Sequence, residues 1–147
     1  LTQLGRDPAQ SRGTVNTPVY RTSTVVFPDL GSFESRDPDD YKSMRYGVHG
    51  TPTAWALEDA VAKMEGGYQA VALPSGLAAI TVALAAFCKN GDHLLVTDSA
   101  YAPTRMFCER QLRPNGVDVE YYDPLIGAGI AALLRPNTKA VFCEPPG

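Results

Sequence analysis

An α/β fold, three layers deep with a mainly parallel sheet and helices on both faces, is what the sequence predicts, and three features predict it. After Tyr46, short apolar runs such as HLLVT and KAVFC alternate with helix-patterned segments, which is the order of βαβ units. Residues 77–87 contain no charge and a single polar residue, Thr81, the pattern of a helix buried on all sides. The composition of the 147 residues, 44% apolar and 20% charged, is that of an ordinary globular chain. The first 45 residues lack this regularity, so an extended arm (1–45) is expected to precede the sheet-bearing domain (46–147).

In the arm, turn formers recur at Gly13, Asn16, Pro18, Pro28, Gly31 and Pro38, and only residues 22–27 (TSTVVF) read as a strand. The acidic cluster Asp37, Asp39 and Asp40 reads as a solvated loop. Pro52 suits a first helical turn with Thr51 as its cap, and Leu57, Ala60, Val61 and Met64 follow at helical spacing until Gly66 and Gly67. A strand is expected at 70–73, then the apolar helix, then a strand at 93–97. A polar helix is expected at 103–112, a strand at 117–122, a short helix at 130–134 and a last strand at 139–143. Glu144, Pro145, Pro146 and Gly147 follow that strand without the covering helix that a parallel sheet requires. A fragment of a larger enzyme is therefore expected.

Charge and cysteine content exclude several functions. Thirteen basic against sixteen acidic residues give a net charge of −3, with no basic tract to neutralise nucleic-acid phosphates. The longest nearly apolar stretch is interrupted by Pro74, Ser75, Gly76 and Thr81 and falls short of the roughly 20 residues that span a bilayer. Cys88, Cys108 and Cys143 are too few and too scattered for a disulfide framework or a zinc knuckle, and the two histidines form no metal-ligand pattern. The first residues carry no leader pattern, which points to the cytosol. Glycine-rich nucleotide fingerprints and a nucleophile elbow are missing as well.

Three segments could carry chemistry. At Pro74, Ser75, Gly76 and Leu77 a strand feeds directly into a helix, whose free N–H groups and dipole favour an anion; a plain βα turn capped by Ser75 is the alternative. In the loop from Tyr46 to Thr53, two glycines flank His49 and open a helix. His49 is a candidate acid–base group or simply an exposed polar residue, and Tyr46 is catalytic or packs. Asp98, Ser99, Ala100 and Tyr101 follow a strand, where open α/β sheets bind ligands. Tyr101 could stack on a flat cofactor, or Asp98 and Ser99 could do no more than cap the next helix.

Together the segments VNTPVYRTSTVVF, RYGVHGTPT, LPSGLAAI, NGDHLLVTDSAYAPT, YYDPLIG and VFCEPPG, in this order, are more specific than any one of them. Over essentially its whole length the chain resembles the N-terminal part of the pyridoxal-phosphate enzymes of cysteine and methionine metabolism. That resemblance implies a fold-type I large domain and pyridoxal 5'-phosphate as cofactor. It implies that Ser75, Gly76 and Leu77 hold the cofactor phosphate, that Tyr101 stacks on the pyridine ring near the reacting bonds, and that Tyr46 reaches the active site of a neighbouring chain. The implied reaction is β-elimination of cystathionine to homocysteine, pyruvate and ammonia, with γ-elimination, γ-synthase and sulfhydrylase chemistry on the same scaffold as alternatives. The implied assembly is a homo-oligomer built as a dimer of dimers. Where the family commonly has an arginine two residues after the tyrosine, this chain has Val48. Lys42, Lys63, Lys89 and Lys139 do not sit where the cofactor's aldehyde would be, and the resemblance implies that the Schiff-base lysine, the pyridinium aspartate and the substrate-carboxylate arginine all lie beyond Gly147. On that reading the 147 residues alone are inert, and a rival description is a phosphate-binding or assembly piece.

Overall fold

A computed structural model describes residues 4–35, 40 and 42–145. Asp37 and Asp39 of the acidic cluster, and Pro146 and Gly147 at the end, lie outside the described residues. The chain divides into two compact units, Leu1–Ala72 and Leu73–Gly147.

The first unit is mostly irregular. Helix α1 (Leu30–Glu34) was not legible in the sequence; the Asp29 carboxylate starts it by accepting the Ser32 N–H at 2.7 Å, and this bond holds the Asp29 carboxyl below its ordinary range. Residues 22–27 do not form the expected strand. Only Thr24 pairs, in an isolated antiparallel bridge to Tyr46, because no longer partner runs beside it. Helix α2 (Pro52–Glu65) begins with proline in its first turn and ends at Gly66, whose φ of 65° is the left-handed cap that glycine adopts freely. Thr51 sits at the cap position with extended backbone but makes no capping bond. Its neighbour Thr53 accepts the Tyr20 N–H and donates to the Pro18 carbonyl, both at 2.8 Å, which fastens the arm to α2.

Residues 70–73 are not a strand. Apolar content supplied no hydrogen-bonding neighbour there, and the Ala72 N–H instead goes to the Glu58 carboxylate at 2.8 Å. The second unit then begins, and its centre is a three-stranded parallel sheet. Strand β1 (His93–Thr97) lies between β2 (Asp118–Tyr122) and β3 (Thr138–Phe142). Every residue of β1 is buried, so both its faces are covered, as a parallel strand requires. The β1–β3 register slips by one residue: Thr138 faces His93, Ala140 faces Leu94, and Lys139 is left unmatched.

Helix α3 (Gly76–Phe87) packs against β3 and against α4 (Ala102–Phe107). Leu84, Leu94, Val96, Cys108, Leu112, Val117 and Val119 form the core beneath them. The expectation that α3 is buried all round fails: Leu84 alone is buried, and Phe87 is 70% exposed. An uncharged sequence reports a helix's preference for apolar surroundings, and in this chain those surroundings cover one side. The polar helix of 103–112 is present but changes pitch, continuing α4 as a π-helical turn, Cys108–Leu112, closed by the Arg113 N–H on the Cys108 carbonyl at 2.9 Å. The short helix expected at 130–134 is a 3-10 helix over Gly127–Leu133.

At the amino ends of the strands, buried His93 ties all three together. Its Nδ1 lies 2.8 Å from the Thr138 hydroxyl and its Nε2 lies 3.2 Å from Glu120. Thr138 Oγ1 already accepts the Arg135 N–H at 2.7 Å, and Arg135 also pairs with Asp118 and Glu120. The carboxylate can only accept, so Nε2 carries the ring proton that reaches Glu120.

Candidate active site

The candidate residues of the second unit stand at the start of α3 and beyond the carboxyl ends of the strands. Ser75 is extended (φ −160°, ψ 160°) and caps α3, its Oγ accepting the Ala78 N–H and its carbonyl the Ala79 N–H, each at 3.0 Å. Those two bonds satisfy the later orphan donors of the first turn and leave the N–H groups of Gly76 and Leu77 with no acceptor among the described residues. A methyl group built on Gly76 would meet no atom within 4 Å, so the space at the helix start is open. Two free donors, a hydroxyl beside them, and the positive end of a twelve-residue helix suit a phosphate. From Cys88 the chain needs five residues to reach β1, so α3, about 18 Å long, runs back from the amino end of the sheet.

At the other end of β1 the turn to α4 is held on several sides. The Asp98 N–H donates to the Tyr122 carbonyl at 2.9 Å, and the Ala100 N–H returns to Thr97 at 3.0 Å. Arg105 donates to both the Asp98 carbonyl (2.7 Å) and its carboxylate (2.6 Å) while its guanidinium lies 4.1 Å from the Tyr121 ring centre. Asp98 and Ser99 therefore do not cap α4. Tyr101 occupies the cap position without a side-chain capping bond, and the residue is 57% exposed. Its N–H donates to the Glu144 carboxylate at 3.1 Å and its carbonyl accepts the Arg105 N–H at 3.1 Å.

Tyr122 closes the floor of this region. Its hydroxyl lies 3.1 Å from both the Phe142 carbonyl and the Cys143 Sγ. The carbonyl can only accept, so the phenol donates there and the thiol donates to the phenol. Burial, with the Cys143 bond second, pushes the Tyr122 phenol up to about 12. Neighbouring Tyr121 is also pushed up to about 12, by burial first and then by its bond to Glu109.

Tyr46 belongs to the first unit. It precedes a 3-10 turn, Gly47–His49, and its ring meets His49 edge-on with centroids 5.6 Å apart. Both line a cleft of about 1010 Å³ together with Phe27, Phe33, Ser43 and Arg45. Arg45 stacks over Phe27 and donates to the Phe33 and Ser35 carbonyls, and Val48 is exposed. The Gly47 N–H donates to Ser23 at 2.7 Å, and a Cβ at Gly47 would fall 1.9 Å from the Thr22 carbonyl oxygen, so no side chain fits. Of the lysines, Lys42 pairs with Asp59 at 2.6 Å, Lys89 follows the end of α3 remote from Gly76, and Lys139 sits at the register slip.

The structure thus brings Ser75, Gly76, Leu77 and Tyr101 into one unit and leaves Tyr46 in the other. Glu144, Arg105 and Tyr122 were missed as part of this region. Glu144 immediately follows Cys143 beyond the last strand, the same criterion that singled out Asp98 and Tyr101, and could have been found by it.

Set against known proteins, residues 1–147 match the family model of the Cys/Met metabolism PLP-dependent enzymes, and the chain belongs to that family. It is 48% identical over 147 residues to a Rhizobium johnstonii protein provisionally named cystathionine beta-lyase, covering all of this chain and 36% of the relative. It is 41% identical over 143 residues to the cystathionine beta-lyase of Haemophilus influenzae, covering 97% and 36%. An L-alanine/L-glutamate racemase of Wolbachia pipientis is 36% identical, covering 100% and 38%. Among solved structures, metB from Corynebacterium glutamicum superposes with a TM-score of 0.84 at 28% identity, covering 96% of this chain and 35% of that one. The chain spans little more than a third of the length of these relatives. The open helix start at Gly76 and the exposed ring of Tyr101 fit the phosphate and the flat ring of pyridoxal phosphate.

Proposed function

We propose that the full-length protein is a pyridoxal-phosphate-dependent carbon–sulfur lyase that cleaves cystathionine, with water, to homocysteine, pyruvate and ammonia. The observation that carries the site assignment is the helix start at Gly76, open and equipped with two N–H groups that find no acceptor among the described residues. Ser75, Gly76 and Leu77 bind the phosphate there and so fix where the ring lies. Tyr101 covers one face of the ring and keeps water from it; its exposure beyond β1 supports this role. Tyr46 serves the site of a neighbouring copy, and the exposed apolar side chains of its unit, among them Val26, Leu57 and Tyr68, support assembly into a homo-oligomer. When bound, the cofactor supplies an electron sink that makes the Cα–H of an amino acid acidic. The residues of this chain hold and orient it. The reading includes a cytosolic location. As a separate matter, among the described residues no helix is long and apolar enough to cross a membrane.

Purified full-length protein supplied with pyridoxal phosphate is expected to be yellow and to release pyruvate from cystathionine. The likeness to a racemase makes one other outcome specific: interconversion of L- and D-alanine without pyruvate release would replace the lyase reading. A colourless protein would remove the cofactor assignment altogether.

A further inference from the structure

We propose that Glu144 is a positioning residue for Tyr101, acting through the bond between its carboxylate and the Tyr101 N–H. The inference rests on the role of Tyr101 proposed above and adds a residue to it. The Tyr101 N–H stands at the cap of α4, before the helix ladder begins, so no backbone carbonyl of the helix takes it. Glu144 Oε2 takes it instead, at 3.1 Å, across 43 residues of sequence.

The two ends of this bond are themselves held. Behind Tyr101, its carbonyl accepts the Arg105 N–H, and Arg105 in turn grips Asp98 through two bonds. Behind Glu144, the Tyr122 hydroxyl bonds the Phe142 carbonyl and the Cys143 thiol, the two residues that lead into Glu144. The path from β2 through the end of β3 to the β1–α4 turn is therefore continuous. It ends on the peptide group from which an otherwise exposed aromatic ring projects. Tyr101 is 57% exposed and its side chain makes no capping bond, so the backbone that carries it is what Glu144 can position. Glu144 supplies a charged acceptor to that backbone, stronger than the water that would replace it.

The test uses the full-length protein and two kinds of readout. Amide hydrogen exchange at Tyr101, measured without cofactor, is expected to accelerate in Glu144→Ala and to return toward the wild-type rate in Glu144→Gln, whose carbonyl oxygen still accepts. Cofactor affinity, read by absorbance titration, is expected to fall about five- to tenfold in Glu144→Ala and to recover in Glu144→Gln. In a Tyr101→Ala background the Glu144→Ala change is expected to have no further effect, because the two act through one group. Glu144→Ala with wild-type exchange and affinity, beside a Tyr101→Ala that loosens the cofactor, overturns this inference alone. Losses that add in the double variant overturn it as well, since Glu144 would then act through the fold. A wild-type protein that binds no pyridoxal phosphate overturns the proposed function and this inference with it.

Discussion

All the buried apolar side chains among the described residues belong to Leu73–Gly147, except Ala62. The first unit is held by other means: Thr53 clasping Pro18 and Tyr20, Lys42 on Asp59, Arg45 on two carbonyls, and the close approach of Gly47 to Thr22. Many of its large apolar side chains are exposed, with Val26 at 89% and Tyr68 at 100% exposure. The contrast shows which part of the chain carries its own hydrophobic stabilisation and which part is arranged by directed polar contacts and backbone shape. The proposed site follows the same division, with its anion cradle in the unit that has a core.

The sharpest way to break the comparison is to excavate the core. Leu94→Ala, at a fully buried position on β1, is expected to cost about 2–5 kcal/mol in chemical denaturation, whereas Val26→Ala in the arm should stay within about 0.5 kcal/mol. Equal losses would mean that the arm has a core of its own. Next in size is Gly47→Ala. The added methyl collides with the Thr22 backbone, so the bridge between Thr24 and Tyr46 should open at a cost of about 1–3 kcal/mol, read as faster proteolysis near residues 20–27. Retention of wild-type resistance would show that the arm shifts without loss.

Gly76→Val sharpens the comparison from the functional side. The space beside Gly76 is open, so folding stability should change little, while cofactor affinity in the full-length protein should drop about tenfold or more, near 1.4 kcal/mol. Unchanged affinity would remove the phosphate from this helix start. The smallest expected effect is at alkaline pH. Folded Tyr121 keeps its proton to about 12, whereas an unfolded phenol loses it near 10. Below pH 10 both states are protonated and the contribution is complete. Between about pH 10 and 12 only the unfolded state ionises, so stability should fall across that window, and Tyr121→Phe should flatten the fall.

Much of the second unit was legible because its signals are local. β1 emerges from an apolar run between a helix stop and Asp98, and α3 from an uncharged stretch behind a serine cap. What the sequence concealed depends on distant partners. Residues 70–73 and 22–27 have strand composition, but a strand exists only beside another, and composition carries no partner. The apolar surface of α3 told of preference and not of cover. Glu144 reads as the tail of a strand until the fold brings it to Tyr101. Helix α1 hid because five residues carry no period, only the Asp29 cap.

The unmatched Lys139 has a consequence for how this sheet can change. A strand alternates its side chains strictly, so an uninterrupted β3 that set Thr138 toward His93 would also turn Phe142 to that face. The extra residue resets the parity, giving Thr138 to the histidine and Phe142 to the hydrophobic interior. Length is negotiable at this one point: excising Lys139 leaves both ends in phase, whereas excising Val141 would invert everything that follows it, Glu144 included.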